Sequence, residues 1–240
     1  MNSAITESPA TGRVPLFPIF ALLAGAGFLY FIFLAAGSHP EKAWLVFLVN
    51  YLLFTGLALG AVLFSTIMHF TGAKWSHSLS GVAESFSFFF PVSFVLFILL
   101  FIGQEHLFTW LGEDLYGKEV WLNVPFLFTR NLVGFLVLYG LGIGYLYHSL
   151  WFRLDRGGSD TFLKQFLVKR WKTGPTDPEK MKRRMTFLAG WFMFAFCCVL
   201  ALVGFDLVMS MDPHWYSTLF GAYTFIKAVY SGFGALIILA

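Results

Sequence analysis

The chain has 240 residues, of which 58% are hydrophobic, 20% aromatic and 12% charged, with a formal net charge of +3 and a mean hydropathy of +0.73. A soluble domain is about 25% charged, and a soluble globule of this length could not hide so much apolar surface behind so few charges. The same composition excludes disorder, the small charge and its confinement to one loop speak against nucleic acid, and an all-α polytopic transmembrane helical bundle of about six helices remains.

Residues 1–14 read as a short polar tail. The first apolar run, 15–36, has no basic stretch ahead of it and exceeds a signal-peptide core, so a retained helix is expected, although Ala35-Ala36-Gly37 leaves cleavage open. The second run, 43–70, holds the GxxxG pair Gly56 and Gly60 and ends near His69. Small residues at that spacing let helix backbones approach closely in lipid. The third, 82–104, opens near Glu84 and carries Pro91, a mild kink signal; the fourth, 124–152, carries Arg130, the crowded Gly140, Gly142 and Gly144, and His148.

A basic segment, 153–184, follows and holds ten of the sixteen Lys and Arg residues. The fifth run, 185–210, contains Cys197, Cys198 and Asp206, and the sixth, 216–240, contains Lys227. The expected organisation is a four-helix bundle over 15–152, the basic loop, and the start of a second bundle over 185–240. The chain ends inside an apolar run at Ala240, which points to a fragment of a longer polypeptide.

Basic residues set the orientation. Arg13, Lys74 and the 153–184 segment lie on the N-terminal side, against only Lys42 and Lys118 on the other. The N-terminus and the basic loop are therefore expected in the cytoplasm, where the loop would meet anionic lipid. The loops near 37–42, 105–123 and 211–215 are expected outside. The adjacent cysteines point about 100° apart on a helix and make poor partners for a bridge or a shared metal. With no CxxC spacing, the chain has no means of holding an iron–sulfur cluster by itself, and buried spectator thiols are the simplest reading.

Charges inside apolar runs are costly, about 2.5–3.5 kcal/mol at mid-membrane, so each needs a reason. Lys227, about eleven residues into the sixth run, is expected near the midplane, either in a packed ion pair or on a proton path. Glu84 is either a first-turn acid complementing the helix dipole or the mouth of a proton half-channel. Arg130 and Asp206 share a depth toward the outer face, near Glu105, His106, Asp212 and His214, and are bordered by Trp110, Trp121, Trp215 and Tyr216. An interfacial aromatic belt and solvated loop residues are the plain alternative for most of these, and Asp206 is the hardest to dismiss in that way. His69 and His148 share the opposite side and form one conceivable haem pair; interface residues are the more frequent role for histidines so placed.

Three stretches carry a family resemblance: Met68–Ser76 with Ala83-Glu84, Leu122–Arg130, and above all Phe205–Tyr223, which reads FDLVMSMDPHWYSTLFGAY. Together they resemble the ActF-type membrane subunit of alternative complex III, the quinol:cytochrome c oxidoreductase unrelated to the bc1 complex, within the NrfD/PsrC-like membrane proteins. The resemblance spans roughly residues 43–230. It implies more helices than six, a related quinol-binding membrane subunit alongside, and a multi-pass place in the bacterial inner membrane. It also implies no cofactor on this chain, with iron–sulfur clusters and haem c on periplasmic partner subunits. Quinone or quinol is the implied substrate. His106, Arg130, Asp206, Asp212 and His214 stand where an outward-facing headgroup site would belong, and Glu84, Lys227 and His69 are candidates for a proton path. A structural anchor without a site of its own is the alternative, and a stand-alone transporter a weaker one.

Overall fold

The computed structural model describes residues 16–37, 39–73, 75, 77–112, 115, 117–156 and 177–240. The 1–14 tail with Arg13, then Lys74, and most of the basic segment, including Lys164, Lys169, Arg170 and Lys172, lie outside the described residues. All regular structure among the described residues is helical: α1 Leu16–Ala35, α2 Pro40–Phe70, α3 His77–Ser85, a 3₁₀ turn Phe86–Phe88, α4 Phe89–Ile102, the short α5 Gln104–Leu107, α6 Val124–Arg156, α7 Pro178–Leu207, a 3₁₀ turn Met209–Met211, and α8 Phe220–Leu239. Among the described residues six spans are long and apolar enough to cross a bilayer: Pro18–Ala35, Pro40–Phe70, Leu79–Ile102, Val124–Phe152, Pro178–Met211 and Phe220–Leu239. The chain is a multi-pass helical membrane protein.

Local chemistry explains where the helices begin and bend. Asp177 accepts the amide of Glu179 at 3.1 Å, and Pro178 occupies the first helical position, where a missing N–H costs nothing. Asn123 stands one residue before α6 and accepts the amide of Phe126 at 3.4 Å. In the third span the helix tightens to 3₁₀ geometry over Phe86–Phe88, just upstream of Pro91. Pro91 has no N–H to offer the carbonyl four residues back, and the turn rearranges there. The mild kink signal in the sequence thus becomes an actual break.

The chain forms two compact units, 1–44 and 45–240. In the first, α1 runs into the start of α2, and Phe31 packs edge-on against Trp44 with ring centroids 5.2 Å apart. In the second, α6 packs against α7 and α4: Val199 of α7 lies over Gly134, and the rings of Phe90 from α4 and Phe192 from α7 meet over Gly142. Helices α7 and α8 pack into the same unit as α4 and α6.

The GxxxG pair on α2 is a close helix crossing. A Cβ on Gly60 would run into the backbone of Ala228 and Gly232 in α8, and one on Gly56 would meet Ala228 Cβ at 3.2 Å. Of the crowded glycines in α6 only Gly142 is tight: a Cβ there would lie 2.9 Å from the Phe90 ring and 3.1 Å from that of Phe192, whereas one on Gly140 would have nothing within 4 Å. Cys197 and Cys198 are exposed on the bundle exterior, which corrects the buried reading. In lipid both faces of a helix are apolar, so an apolar setting in the sequence does not put a residue inside.

Candidate functional site

Three polar clusters line the interior of the second unit along α6. The first is at the end where α6 begins and α7 finishes. Asp206 is fully buried, at 0% exposure. Its Oδ2 accepts from Arg130 Nε at 2.6 Å and from Asn131 Nδ2 at 2.6 Å, and Arg130 Nη2 donates to its Oδ1. Arg130 Nη1 donates to the Trp121 carbonyl at 3.0 Å, and the guanidinium carbon lies 3.9 Å from the Trp121 ring centre and 4.8 Å from that of Phe126. A bidentate fork with a third donor and two ring faces is a well-made ion pair. The shared depth of Arg130 and Asp206 in the sequence thus resolves into direct contact.

The other candidates at this end stand apart from the pair. His106, Asp212 and His214 are exposed. Asp212 Oδ1 accepts the amide of His214 at 3.0 Å, so this carboxylate shapes its own turn. Two bonds tie the loop ahead of α6 to the one after α7: Thr109 Oγ1 donates to the Met211 carbonyl at 2.9 Å, and Lys118 Nζ to the Pro213 carbonyl at 2.6 Å. The result is a braced surface carrying two imidazoles and an aspartate above a sealed ion pair.

The second cluster is mid-bundle and was not anticipated from the sequence. Thr55, Ser93 and Tyr139 form a hydroxyl chain, with Thr55 Oγ1 2.7 Å from Ser93 Oγ and Ser93 Oγ 2.7 Å from the Tyr139 hydroxyl. Tyr51 is buried beside them, and its hydroxyl has no hydrogen bond of normal geometry. Phe97 and Phe135 pack on Tyr51, and Phe135 stacks on Tyr139.

The third cluster is at the opposite end. Glu84, 5% exposed, accepts hydrogen bonds at Oε1 from Ser65 Oγ at 2.7 Å and Ser149 Oγ at 2.8 Å. Tyr145 donates to the Ser65 carbonyl at 3.1 Å, and its hydroxyl is also 3.1 Å from Ser65 Oγ. Glu84 is the eighth residue of α3, so the first-turn role is corrected: it stands two turns inside the helix, beyond the reach of the helix-end dipole. Its partners come from α2 and α6, which fixes the carboxylate in the bundle. Nearby, His69 Nε2 lies 3.1 Å from Thr186 Oγ1 and its ring packs edge-on against Tyr145, while His148 Nδ1 faces the Gly144 carbonyl of its own helix at 2.8 Å.

Lys227 is the eighth residue of α8, about 10 Å along the helix from its start. It is exposed, and no carboxylate among the described residues pairs with it. A packed ion pair, one of the two alternatives for Lys227, is not formed among the described residues. Lys227 and Glu84 each lie about two turns in from the start of their own helices, with Glu84 buried and Lys227 exposed.

Asn131, Tyr139, Tyr145 and Ser149 escaped notice because single hydroxyls and amides are ordinary in membrane helices. Their spacing carried a signal, since Asn131 and Ser149 are about five full turns apart and the tyrosines fall on the same side of α6. Between the clusters the column is apolar. From Asn131 to Tyr139 the helix rises about 12 Å, past the buried Phe135, and from Tyr139 to Tyr145 about 9 Å, past Gly142 with its covering rings. No protein-family model matches the chain, and neither does any curated protein.

Proposed function

We propose that this chain is an ActF-type membrane subunit of a respiratory quinol:cytochrome c oxidoreductase resembling alternative complex III, in the bacterial inner membrane. Its role in that reading is to conduct protons and to brace the complex beside a related quinol-binding subunit. Oxidation of one quinol yields a quinone, two protons and two electrons. The electrons pass to periplasmic iron–sulfur and haem c subunits, and protons carried across the membrane in step with them need titratable groups at depth.

The observation that carries the reading is the line of buried polar clusters along α6, with a carboxylate at each end, Glu84 and Asp206, and the Thr55–Ser93–Tyr139 hydroxyls between. Glu84 is the stronger proton-carrying candidate, because the Ser65 and Ser149 hydroxyls donate to its carboxylate inside the bundle. The exposed His106, Asp212 and His214 would face the partner subunits, where a quinol headgroup or an electron acceptor approaches.

A second reading, a structural anchor, is favoured by one specific observation: Asp206 is fully buried and bonded by three donors of Arg130 and Asn131. The test is gentle affinity purification from native membranes followed by mass spectrometry, haem spectroscopy and a quinol:cytochrome c activity assay. Iron–sulfur and c-type haem partners with that activity are expected, and a chain that purifies alone refutes the proposal. Within the purified complex, Glu84→Gln is expected to assemble but to lower proton translocation per quinol; unchanged turnover and proton stoichiometry would leave the anchor role.

A further inference from the structure

We propose that the groove between the end of α2 and the start of α7 binds an acyl chain of an anionic phospholipid, whose headgroup is held by Arg183 and Arg184. The groove has a volume of about 410 Å³ and is lined by Phe70 of α2 and by Thr186, Phe187, Gly190, Trp191 and Phe194 of α7. The two helices meet at its edge: a Cβ on Gly190 would lie 3.5 Å from the Phe70 ring, and His69 Nε2 lies 3.1 Å from Thr186 Oγ1.

The two ends of the groove differ in chemistry. Phe187, Trp191 and Phe194 form an exposed row of rings, with centroids 6.0 Å apart at each step. Lys180, Arg183 and Arg184 stand at i−7, i−4 and i−3 from Phe187, so they continue the same helix face beyond the rings, and all three are exposed. The acids at this end of α7, Asp177 and Glu179, stand a turn or more ahead of Arg183. Asp177 lies 3.8 Å from Lys180, whereas no carboxylate among the described residues pairs with Arg183 or Arg184. From Arg183 to Phe194 the helix rises about 16 Å, close to the hydrocarbon depth of one leaflet, about 15 Å.

This pattern of charge selects the occupant. A row of rings below two unneutralised arginines complements a molecule with hydrocarbon at one end and phosphate at the other. Guanidinium forks present paired N–H groups to phosphate oxygens, and side chains tilted toward the helix start carry those forks outward to headgroup level. A zwitterionic lipid brings the same chains, but its own cation offsets the gain. A quinone ring brings no charge to the arginines, and the polar side chain of the groove is already engaged: Thr186 Oγ1 donates to the Lys182 carbonyl at 3.0 Å and faces His69. An apolar helix of any origin would cover the rings and leave the arginines unneutralised. The inference is independent of the quinol reading.

The competing fate is an aromatic belt against bulk lipid, with no preference among headgroups. Trp191 reports on the groove itself. The protein, purified from native membranes with whatever subunits accompany it, is placed in phosphatidylcholine vesicles containing either dibrominated phosphatidylglycerol or dibrominated phosphatidylcholine. Bromine on the acyl chain quenches an indole it touches, and the Trp191 signal is the difference between the parent and Trp191→Phe. Several-fold stronger apparent binding of the phosphatidylglycerol is expected, with the ratio falling toward one in Arg183→Gln/Arg184→Gln and at high salt. The double variant changes exposed side chains without ion-pair partners among the described residues, so it should melt like the parent. Equal quenching by the two lipids, selectivity that survives the double variant, or no quenching of Trp191 by either lipid, as under a protein cover, overturns the proposal.

A second measurement keeps the arginines in place. Gly190→Leu puts a side chain into the groove, where its first carbon meets the Phe70 ring at an ordinary contact distance. Phospholipid carried through purification is identified and counted by mass spectrometry in the parent, in Gly190→Leu and in Arg183→Gln/Arg184→Gln. Loss of acidic phospholipid in both variants, with zwitterionic lipid unchanged, is expected. Acidic phospholipid retained in full by either variant overturns the proposal.

Discussion

Arg130→Met removes the guanidinium and leaves the fully buried Asp206 carboxylate with Asn131 as its side-chain donor. Two of the three side-chain donors to the carboxylate disappear with the arginine. Each charge-assisted bond contributes about 1.5–3 kcal/mol, and breaking a buried pair from one side costs about 3–5 kcal/mol because the remaining charge is stranded. The expected loss for Arg130→Met is in that upper range. Asp206→Asn strands the opposite partner, and that partner is better placed to bear it. The Arg130 side chain retains 11% exposure, the Trp121 carbonyl, and two ring faces, and an Asn oxygen still accepts one of its N–H groups. A loss of about 1.5–3 kcal/mol is expected there. The double variant Arg130→Met/Asp206→Asn removes both charges and should lose less than the sum, with a coupling energy of about 1–3 kcal/mol. The assay is equilibrium unfolding in bicelles by steric trapping, with the same four proteins compared in one lipid mixture. The reasoning is refuted if both single variants stay within about 0.5 kcal/mol of the parent, if the double variant is additive, or if Asp206→Asn is the more damaging single change.

The remaining predictions concern packing and the other clusters. Gly60→Leu forces a side chain into the α8 backbone and should lower stability by about 1–3 kcal/mol or more, whereas Gly140→Ala, with nothing within 4 Å, should be neutral or mildly stabilising; thermal melts in detergent separate the two. Tyr139→Phe leaves Ser93 bonded to Thr55 alone and should cost about 0.5–1.5 kcal/mol, read by the same melts; a melt unchanged within error would show that the hydroxyl chain adds nothing to stability. Glu84→Leu removes the shared acceptor of Ser65 and Ser149 and should cost about 1–3 kcal/mol, while Glu84→Gln retains an acceptor and should cost clearly less. Equal losses for the two would place the effect in side-chain volume instead of hydrogen bonding.

Depth along the membrane normal was readable from the residues alone. The apolar runs marked six spans, and counting along them put Arg130 and Asp206 at one level, which is why their pairing was within reach of the sequence. Counting from the edge of the apolar run places Glu84 in a first turn, whereas the third helix begins at His77, ahead of that run. Lys227, about eleven residues into the apolar run that starts at 216, is the eighth residue of the 20-residue α8, because that helix begins at Phe220. Polar residues such as Ser and His blur the edge of an apolar run without ending the helix.

Azimuth was not readable. A soluble helix advertises its buried face by hydrophobic periodicity, but here lipid and protein interior are both apolar, so Cys197 and Phe196 look equivalent in sequence although one faces outward and the other is fully buried. The sequence by itself determined the class of protein, the number of spans and the short list of charges within them, because the cost of placing polar groups in hydrocarbon constrains composition directly. Tertiary structure alone decided which of those charges are neutralised: Asp206 by Arg130 and Asn131, Glu84 bonded by Ser65 and Ser149, and Lys227 by no carboxylate among the described residues. Pairing depends on which helix faces meet, and in the second unit close packing at Gly60, Gly142 and Gly232 fixes those faces through contacts between residues far apart in the chain.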